Sequence, residues 1–266
     1  MDRHSNMGSR QDRWQLRILG TGTSQGVPVV GCGCPVCKST DPFDKRLRTA
    51  AMVRRGDVCV VIDAGPDFRQ QMLRARVKRV DALLITHNHK DHTGGLDDVR
   101  AFNWIQKRPM DIYARKSVLE AVRRDFYYAF GDNKYPGVPQ MLLHEIDADP
   151  FSVQQMDIIP IQAMHHKMPV LGFRIGPFAY LTDANHIEDK ELEKMKGSKV
   201  VIINALRKEK HISHFSLDEA VEIIRLLGPE KGYITHISHQ MGRHAEVERS
   251  MPANIRLAYD GLNILL

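Results

Sequence analysis

Cysteine is scarce in this 266-residue chain, and so are the features that would put it in a membrane or outside the cell. Four cysteines cannot staple a chain of this length as a disulfide scaffold. No apolar run approaches the ~20 residues of a membrane span. Residues Met1 to Arg13 are polar and charged with no apolar h-region, so they do not read as a secretory signal. We expect a flexible leader or an expression remnant there. The chain also lacks repeats, low-complexity segments and a clear linker, so 14–266 reads as one domain with a layered core. Cytoplasm is the expected compartment. Charge of one sign is not dominant either: 38 Lys and Arg face 32 Asp and Glu, a net +6. The basic residues sit in short clusters, Arg54-Arg55, Arg74 to Arg79 and Arg123-Arg124, with no long stripe of the kind a nucleic-acid surface needs. No Gly-Lys-Ser/Thr follows the glycine-rich loop Gly20 to Pro28, which excludes a Walker loop.

What the chain does have is metal-ligand chemistry at the ends of apolar strands. Val80 to Thr86 is an apolar strand that runs into His87-Asn88-His89-Lys90-Asp91-His92. Thr93-Gly94-Gly95-Leu96 then reads as a tight turn opening a helix. Imidazole and carboxylate suit zinc, manganese or iron. Four donors within six residues cannot all reach one ion, so the spacing divides them between two neighbouring ions. Cys32-Gly33-Cys34-Pro35-Val36-Cys37 is too crowded for disulfides and well spaced for a metal. Three thiolates need a fourth ligand to close a tetrahedral zinc site, and the residues alone leave its identity open.

Other strand ends repeat the pattern. Trp14 to Leu19, Arg48 to Arg55 and Asp57 to Ile62 read as strands, the last followed by Asp63 and a helix over Pro66 to Arg76. Asp63 reads either as a partner that orients a ligand histidine or as a helix cap. Asp111 to Ala114 is a strand, and Ser117 to Phe130 a helix with Ser117 as its cap. Its aromatic run Phe126 to Phe130 suits core or dimer contact better than base stacking. Gly131 to Gln140 is a loop, a candidate lid, and the midpoint between two similar halves. Met141 to Ile146, Phe151 to Val153, Met156 to Met164, Val170 to Ile175 and Phe178 to Leu181 are strands. The third ends in His165-His166 and the last in Thr182-Asp183. Glu188 to Lys196 is a helix and Lys199 to Asn204 a strand. Phe215 to Leu227 is a helix capped by Ser213 or Ser216, preceded by His211 and His214. Gly232 to Thr235 leads to His236, with His239 three residues on. Ile255 to Tyr259 and Leu262 to Leu266 read as a hairpin around Asp260-Gly261.

His87-x-His89-x-Asp91-His92 after an apolar strand resembles the signature of the metallo-β-lactamase superfamily. The later order, His then Asp then His at strand ends, matches over nearly the whole chain. Gly20 to Pro28, Gly31-Cys32-x-Cys34-x-x-Cys37 and Thr235-His236-Ile237-Ser238-His239-Gln240 resemble, more narrowly, the phosphoribosyl 1,2-cyclic phosphate phosphodiesterase family of phosphonate breakdown. The resemblance implies an α/β (α+β) fold, a four-layer αββα metallo-β-lactamase sandwich. It implies two divalent catalytic ions, Zn or Mn, and one structural Zn held by Cys32, Cys34, Cys37 and His239. His87, His89 and His165 would hold one catalytic ion, Asp91, His92 and His236 the other, and Asp183 would bridge them. His165 rather than His166 matches, because the family motif runs His-x-Lys before a strand. His214 matches a histidine beside the scissile phosphate, and with Asp91 it is the expected catalytic residue. His211 is left outside the site.

The function this implies is a binuclear phosphodiesterase for a small cyclic or nucleotide-like phosphodiester, using a hydroxide shared by ions ~3.5–4 Å apart. A tRNA 3′-processing endonuclease shares the chemistry, but no Gly/Lys-rich arm to grip RNA is seen, so nucleic acid is the less favoured partner. A thioester hydrolase, a one-iron persulfide dioxygenase and a non-catalytic binding protein are further alternatives. No membrane partner is expected, and a homodimer is expected by analogy alone.

Overall fold

A computed structural model describes residues 13–131 and 136–266. Two sheets lie face to face, and helices cover both outer faces. In the first sheet β1 (Trp14–Gly20), β2 (Ala50–Arg55) and β3 (Val58–Ile62) pair antiparallel. β4 (Ala82–Leu84), β5 (Met110–Ala114) and β6 (Met141–Glu145) then continue parallel to β3. Helices α1 (Phe68–Ala75), α2 (Lys90–Thr93), α3 (Arg100–Gln106) and α4 (Lys116–Asp125) fill the connections. The second sheet holds β7 (Phe151–Val153), β8 (Met156–His165), β9 (Met168–Ile175), β10 (Phe178–Leu181), β11 (His186–Ile187), β12 (Val200–Asn204), β13 (Lys231–Thr235) and β14 (Ile255–Leu257). Helices α5 (Asp189–Met195), α6 (Leu217–Leu227) and α7 (His244–Glu248) pack on it.

Alternation along the strands builds the layers, because successive side chains point to opposite faces. Val58, Val60 and Ile62 of β3 face the second sheet, where they meet Phe173, Phe178 and Tyr180. Cys59 and Val61 face outward onto Phe68 and Met72 of α1 and Val118 and Val122 of α4. In the second sheet Val200 and Ile202 join the inter-sheet core, whereas Val201 and Ile203 pack against Leu217, Ala220 and Ile224 of α6. Strands β3, β4, β10 and β12 are therefore buried along their whole length, as strands covered on both faces must be. This is the four-layer αββα sandwich.

Several local expectations change. Ile255 to Leu266 is not a hairpin: β14 pairs parallel with β13, while β15 (Asn263–Leu265) crosses to the first sheet and pairs with β1. The turn between them is held by the Asp260 carboxylate, which accepts from Thr21 Oγ1 at 2.8 Å and Leu47 N at 2.8 Å. The midpoint also moves. β6 still belongs to the first sheet, so the chain changes sheets between Glu145 and Phe151 rather than at 131–140. Helix α4 starts at Lys116 after Arg115, without a Ser117 cap, and ends at Asp125 before a separate 3-10 turn over Tyr127–Ala129. Ser216 does cap α6, in a capping box with Glu219. The leader expected at residues 1–13 lies, apart from Arg13, outside the described residues, as does part of the expected lid at 131–140.

Candidate metal centre

The strand order brings distant donors to one edge of the sandwich. Parallel β3 and β4 release Asp63 and the His87–His92 loop side by side, and β8, β10 and β13 deliver His165, Asp183 and His236 opposite them. His87, His92, His165, Asp183 and His236 are buried. Asp183 Oδ2 stands 3.2 Å from His92 Nε2 and 3.1 Å from His236 Nδ1, and Asp91 Oδ2 stands 3.2 Å from His92 Nε2. On the other side His87 Nε2 is 3.1 Å from His89 Nδ1, and the His165 ring centroid lies 5.7 Å and 5.2 Å from those of His87 and His89. Asp183 shares a donor cluster with His87 and His92, another with Asp91 and His236, and a third with His165 and His214.

These residues fit a divalent cation. His92 Nδ1 donates to Asp63 Oδ2 at 2.7 Å, which leaves Nε2 as a lone pair facing two carboxylates. His92 Nε2, His236 Nδ1 and His214 Nδ1 are all buried and have no hydrogen-bond partner. Buried polar atoms are rarely left so, and lone pair facing carboxylate oxygen is repulsive unless a cation lies between. Donors on one tetrahedral zinc at ~2.0–2.2 Å lie about 3.3–3.6 Å apart, and the spacings of 3.1–3.2 Å here come close to that. His165 is fixed in the same way, its Nδ1 donating to Ser213 O at 2.7 Å and freeing Nε2.

Without a cation the charges adjust to one another. Burial opposes charge on His92, but Asp63 and Asp183 outweigh it and raise its imidazole well above the ordinary range. Burial likewise opposes charge on Asp183, yet His236 and His92 hold its carboxyl well below the usual range. Burial drives His87 well below the ordinary imidazole value, and with the neighbouring His236 it takes His214 to about 3. His87 and His214 neutral and Asp183 ionised are protonation states suited to binding metal, whereas His92, charged between Asp63 and Asp183, must release a proton from Nε2 when an ion binds.

Asp63 acts as an orienting partner and not as a helix cap. It accepts from Thr86 N at 2.9 Å and Thr86 Oγ1 at 3.0 Å as well as from His92, and α1 begins after Asp67. Thr86 Oγ1 in turn lies 3.0 Å from His87 Nδ1, so one carboxylate orients two histidines. Thr86 escaped the sequence reading, although its place beside His87 was the available signal. Asn204 also escaped it. Its side chain pairs with both the N–H and the C=O of Ala184 at 2.9 Å and so fixes the turn that carries Asp183. Asp63, Asp183 and His236 have φ of 66°, 53° and 55°, a left-handed conformation that costs non-glycine residues ~1–2 kcal/mol each.

The second cluster lies beside the first. Sγ of Cys32, Cys34 and Cys37 stand 3.3, 3.4 and 3.6 Å from His239 Nδ1. Tetrahedral zinc with Zn–S ~2.3 Å and Zn–N ~2.05 Å puts S and N about 3.5 Å apart, which these spacings match. The Cys37 N–H donated to Cys34 Sγ lowers that thiol to about 6, whereas burial raises Cys37 to about 11. His166 belongs to none of the centre's donor clusters: it is exposed, has φ of 56° and donates its backbone N–H to Asn185 Oδ1.

An αββα sandwich with His and Asp donors converging on one edge defines a metal-dependent hydrolase of the metallo-β-lactamase fold. The family model described as the beta-lactamase superfamily domain matches residues 59–237, and the chain belongs to that superfamily. Within it, the chain is similar to a crystal structure of a diphosphatase from the PhnP family, with 38% identity, a TM-score of 0.90 and coverage of 96% of this chain and 97% of that one. Human tRNase Z, short form, shares the fold at 18% identity and a TM-score of 0.69, covering 94% of this chain and 98% of that one. Among curated relatives, an octanoyltransferase of Porphyromonas gingivalis is 40% identical over 252 residues, 94% of this chain and 51% of the relative. Coenzyme PQQ synthesis protein B of Methylobacterium nodulans is 30% identical over 122 residues, 41% of this chain and 39% of that protein. The chain thus spans about half the length, or less, of these curated relatives. Membership of the fold family implies divalent metal ions. Among the described residues, no helix is long and apolar enough to cross a membrane.

Proposed function

We propose that the chain is a binuclear phosphodiesterase acting on a small cyclic or nucleotide-like phosphodiester. Its catalytic unit is 14–266, with His87, His89 and His165 on one divalent ion, Zn or Mn, and Asp91, His92 and His236 on the other. Asp183 would be shared between them, and the observation that carries the reading is that it lies in one donor cluster with His87 and His92, in another with Asp91 and His236, and in a third with His165 and His214. Similarity to the PhnP-family diphosphatase over nearly the whole of both chains supports phosphoryl chemistry. Cys32, Cys34, Cys37 and His239 would hold a structural Zn, which would brace the segment carrying His236. The reading is of a cytoplasmic enzyme, with a homodimer expected by analogy only.

When bound, the ion pair supplies positive charge for the phosphoryl oxygens and a nucleophilic water at neutral pH. The protein's residues do the rest. Asp63, through His92 and Thr86, keeps two imidazoles aimed inward. Ser213 O does the same for His165. Asp91 and Asp183 supply the negative charge that retains the ions. His214 is buried and its Nδ1 has no hydrogen-bond partner; its ring centroid lies 4.6 Å from that of His165 and 4.9 Å from that of His236, where it can donate to a phosphoryl or departing oxygen.

The test is hydrolysis of bis(p-nitrophenyl) phosphate by chelator-treated protein and by protein reloaded with Zn or Mn. Turnover appearing only on reloading, and lost in Asp183→Ala, is expected. Equal rates in treated and reloaded samples would end the proposal. A tRNA 3′-processing endonuclease is the second reading, favoured by 26% identity to ribonuclease Z of Exiguobacterium over 171 residues. A gel assay with precursor tRNA separates the two.

A further inference from the structure

We propose that His211 contacts the substrate and selects for a second phosphoryl group beyond the scissile phosphorus; this rests on the phosphodiesterase reading of the adjoining centre. His211 was assigned no role from sequence, yet its ring centroid lies 5.3 Å from that of His214, which is itself 4.6 Å from His165. The three rings form a row leading outward from the metal edge. His165 and His214 are buried, and His211 is partly exposed at the open end of the row.

Its tautomer is set locally. Ser213 donates toward His211 Nδ1 from its N–H at 3.4 Å and its Oγ at 3.2 Å, so the ring proton sits on Nε2 and remains a free donor. Burial and the Arg207 guanidinium keep the ring neutral, so it offers this donor without competing for a proton. The surroundings favour an anion. Arg207, Lys208 and Lys210 flank His211 on the same loop; Glu209 lies 4.0 Å from Arg207 and Glu219 3.6 Å from Lys210, which leaves Lys208 as the cation with no acidic partner among the described residues.

The loop is also held in place on both sides. Arg207 donates to Gln240 Oε1 at 3.0 Å and to Lys210 O at 3.2 Å, and Asn185 Nδ2 donates to Ile212 O at 3.0 Å. Ser213 O anchors His165, and Leu217 N donates to Arg207 O at 2.9 Å. A donor on a braced loop next to the reacting phosphate is preorganised, and it costs little ordering entropy when ligand arrives.

The test compares adenosine diphosphate with adenosine monophosphate as calorimetric ligands of metal-loaded protein, with metal content measured before and after. Wild type should bind the diphosphate more tightly. His211→Ala should weaken the diphosphate about tenfold, the loss of one hydrogen bond to a charged group, and leave the monophosphate unchanged. His211→Gln, which keeps an N–H donor, should recover part of the difference. Melting temperature should not change in either variant. Equal wild-type affinity for the two nucleotides overturns the assignment, and so does an equal loss of both in His211→Ala. If wild type turns over no phosphodiester, the phosphodiesterase reading fails while the nucleotide comparison still decides the role of His211.

Discussion

Replacing Asp63 by Asn should disable one metal position without touching a proposed ligand. The position has φ of 66°, which Asn tolerates, so the backbone can stay as it is. Asp63 Oδ1 accepts from Thr86 N at 2.9 Å, and Oδ2 accepts from His92 Nδ1 at 2.7 Å. An amide has one acceptor and one donor end. Its oxygen must face Thr86 N–H, because the NH2 there would oppose another donor, so the NH2 faces His92 Nδ1. The His92 proton is then displaced to Nε2, 3.2 Å from Asp91 and Asp183, where it blocks the lone pair that would bind the ion. Losing such an orienting partner costs about 10–100-fold in metal affinity, roughly 1.4–2.7 kcal/mol. Competition against a chromophoric chelator should show one catalytic equivalent weakened by that factor, with the thiolate-bound equivalent unchanged. The melting temperature should fall more for the metal-loaded variant than for the chelator-treated one. Two catalytic equivalents bound at wild-type affinity would refute the tautomer argument.

Further outcomes follow from the same packing. Gly65→Ala would place a Cβ 1.9 Å from Asp91 O, so the metal loop must move; a soluble variant retaining full metal stoichiometry would contradict this. Arg46 is buried and donates to Thr21 Oγ1 and Ala258 O at 2.8 Å each, so Arg46→Met should cost about 2–4 kcal/mol in denaturant unfolding, and a loss below ~0.5 kcal/mol would count against it. Cys34→Ser should remove one zinc equivalent by elemental analysis and lower the melting temperature, with no change expected if the cluster holds no metal. Metal-free protein should lose stability as pH falls below ~6.5. His87, His236 and His244 are each lowered, burial being the main cause, and His214 is taken to about 3, so the unfolded chain binds more protons in that window. His92, raised, opposes this in part. Denaturation midpoints that stay flat or rise between pH 7.5 and 5 would show the sign to be wrong.

The donor residues were legible because each follows an apolar run that can only be a buried strand. His87, His165, Asp183 and His236 come together for that reason, and the layers follow from strands such as Val58–Ile62 that are apolar on both faces. The Cys32–Cys37 spacing announced its cluster, whereas His239 became apparent only through family likeness. Non-local geometry was the part the sequence did not show. Asp260-Gly261 carries the local signal of a hairpin turn, and nothing nearby reveals that Thr21 and Leu47 hold Asp260 so that the chain crosses between sheets. The role of Asp63 stayed open because capping and orienting need the same carboxylate, and only the position of His92 decides between them. His211 lies four residues after Arg207 in a polar loop, where sequence offers no periodicity to say which side chain faces the centre.

Pairing of Gln15 with Leu265 and Arg17 with Asn263 joins positions almost a whole chain apart. Long-range pairing of this kind slows folding, because the entropy of closing so large a loop is lost before the contact forms. While the chain is being synthesised, β1 must therefore wait with one bare edge until Asn263–Leu265 has been made. That edge is open to pairing with another half-made molecule, and shielding it is a task for a chaperone rather than for the finished sheet.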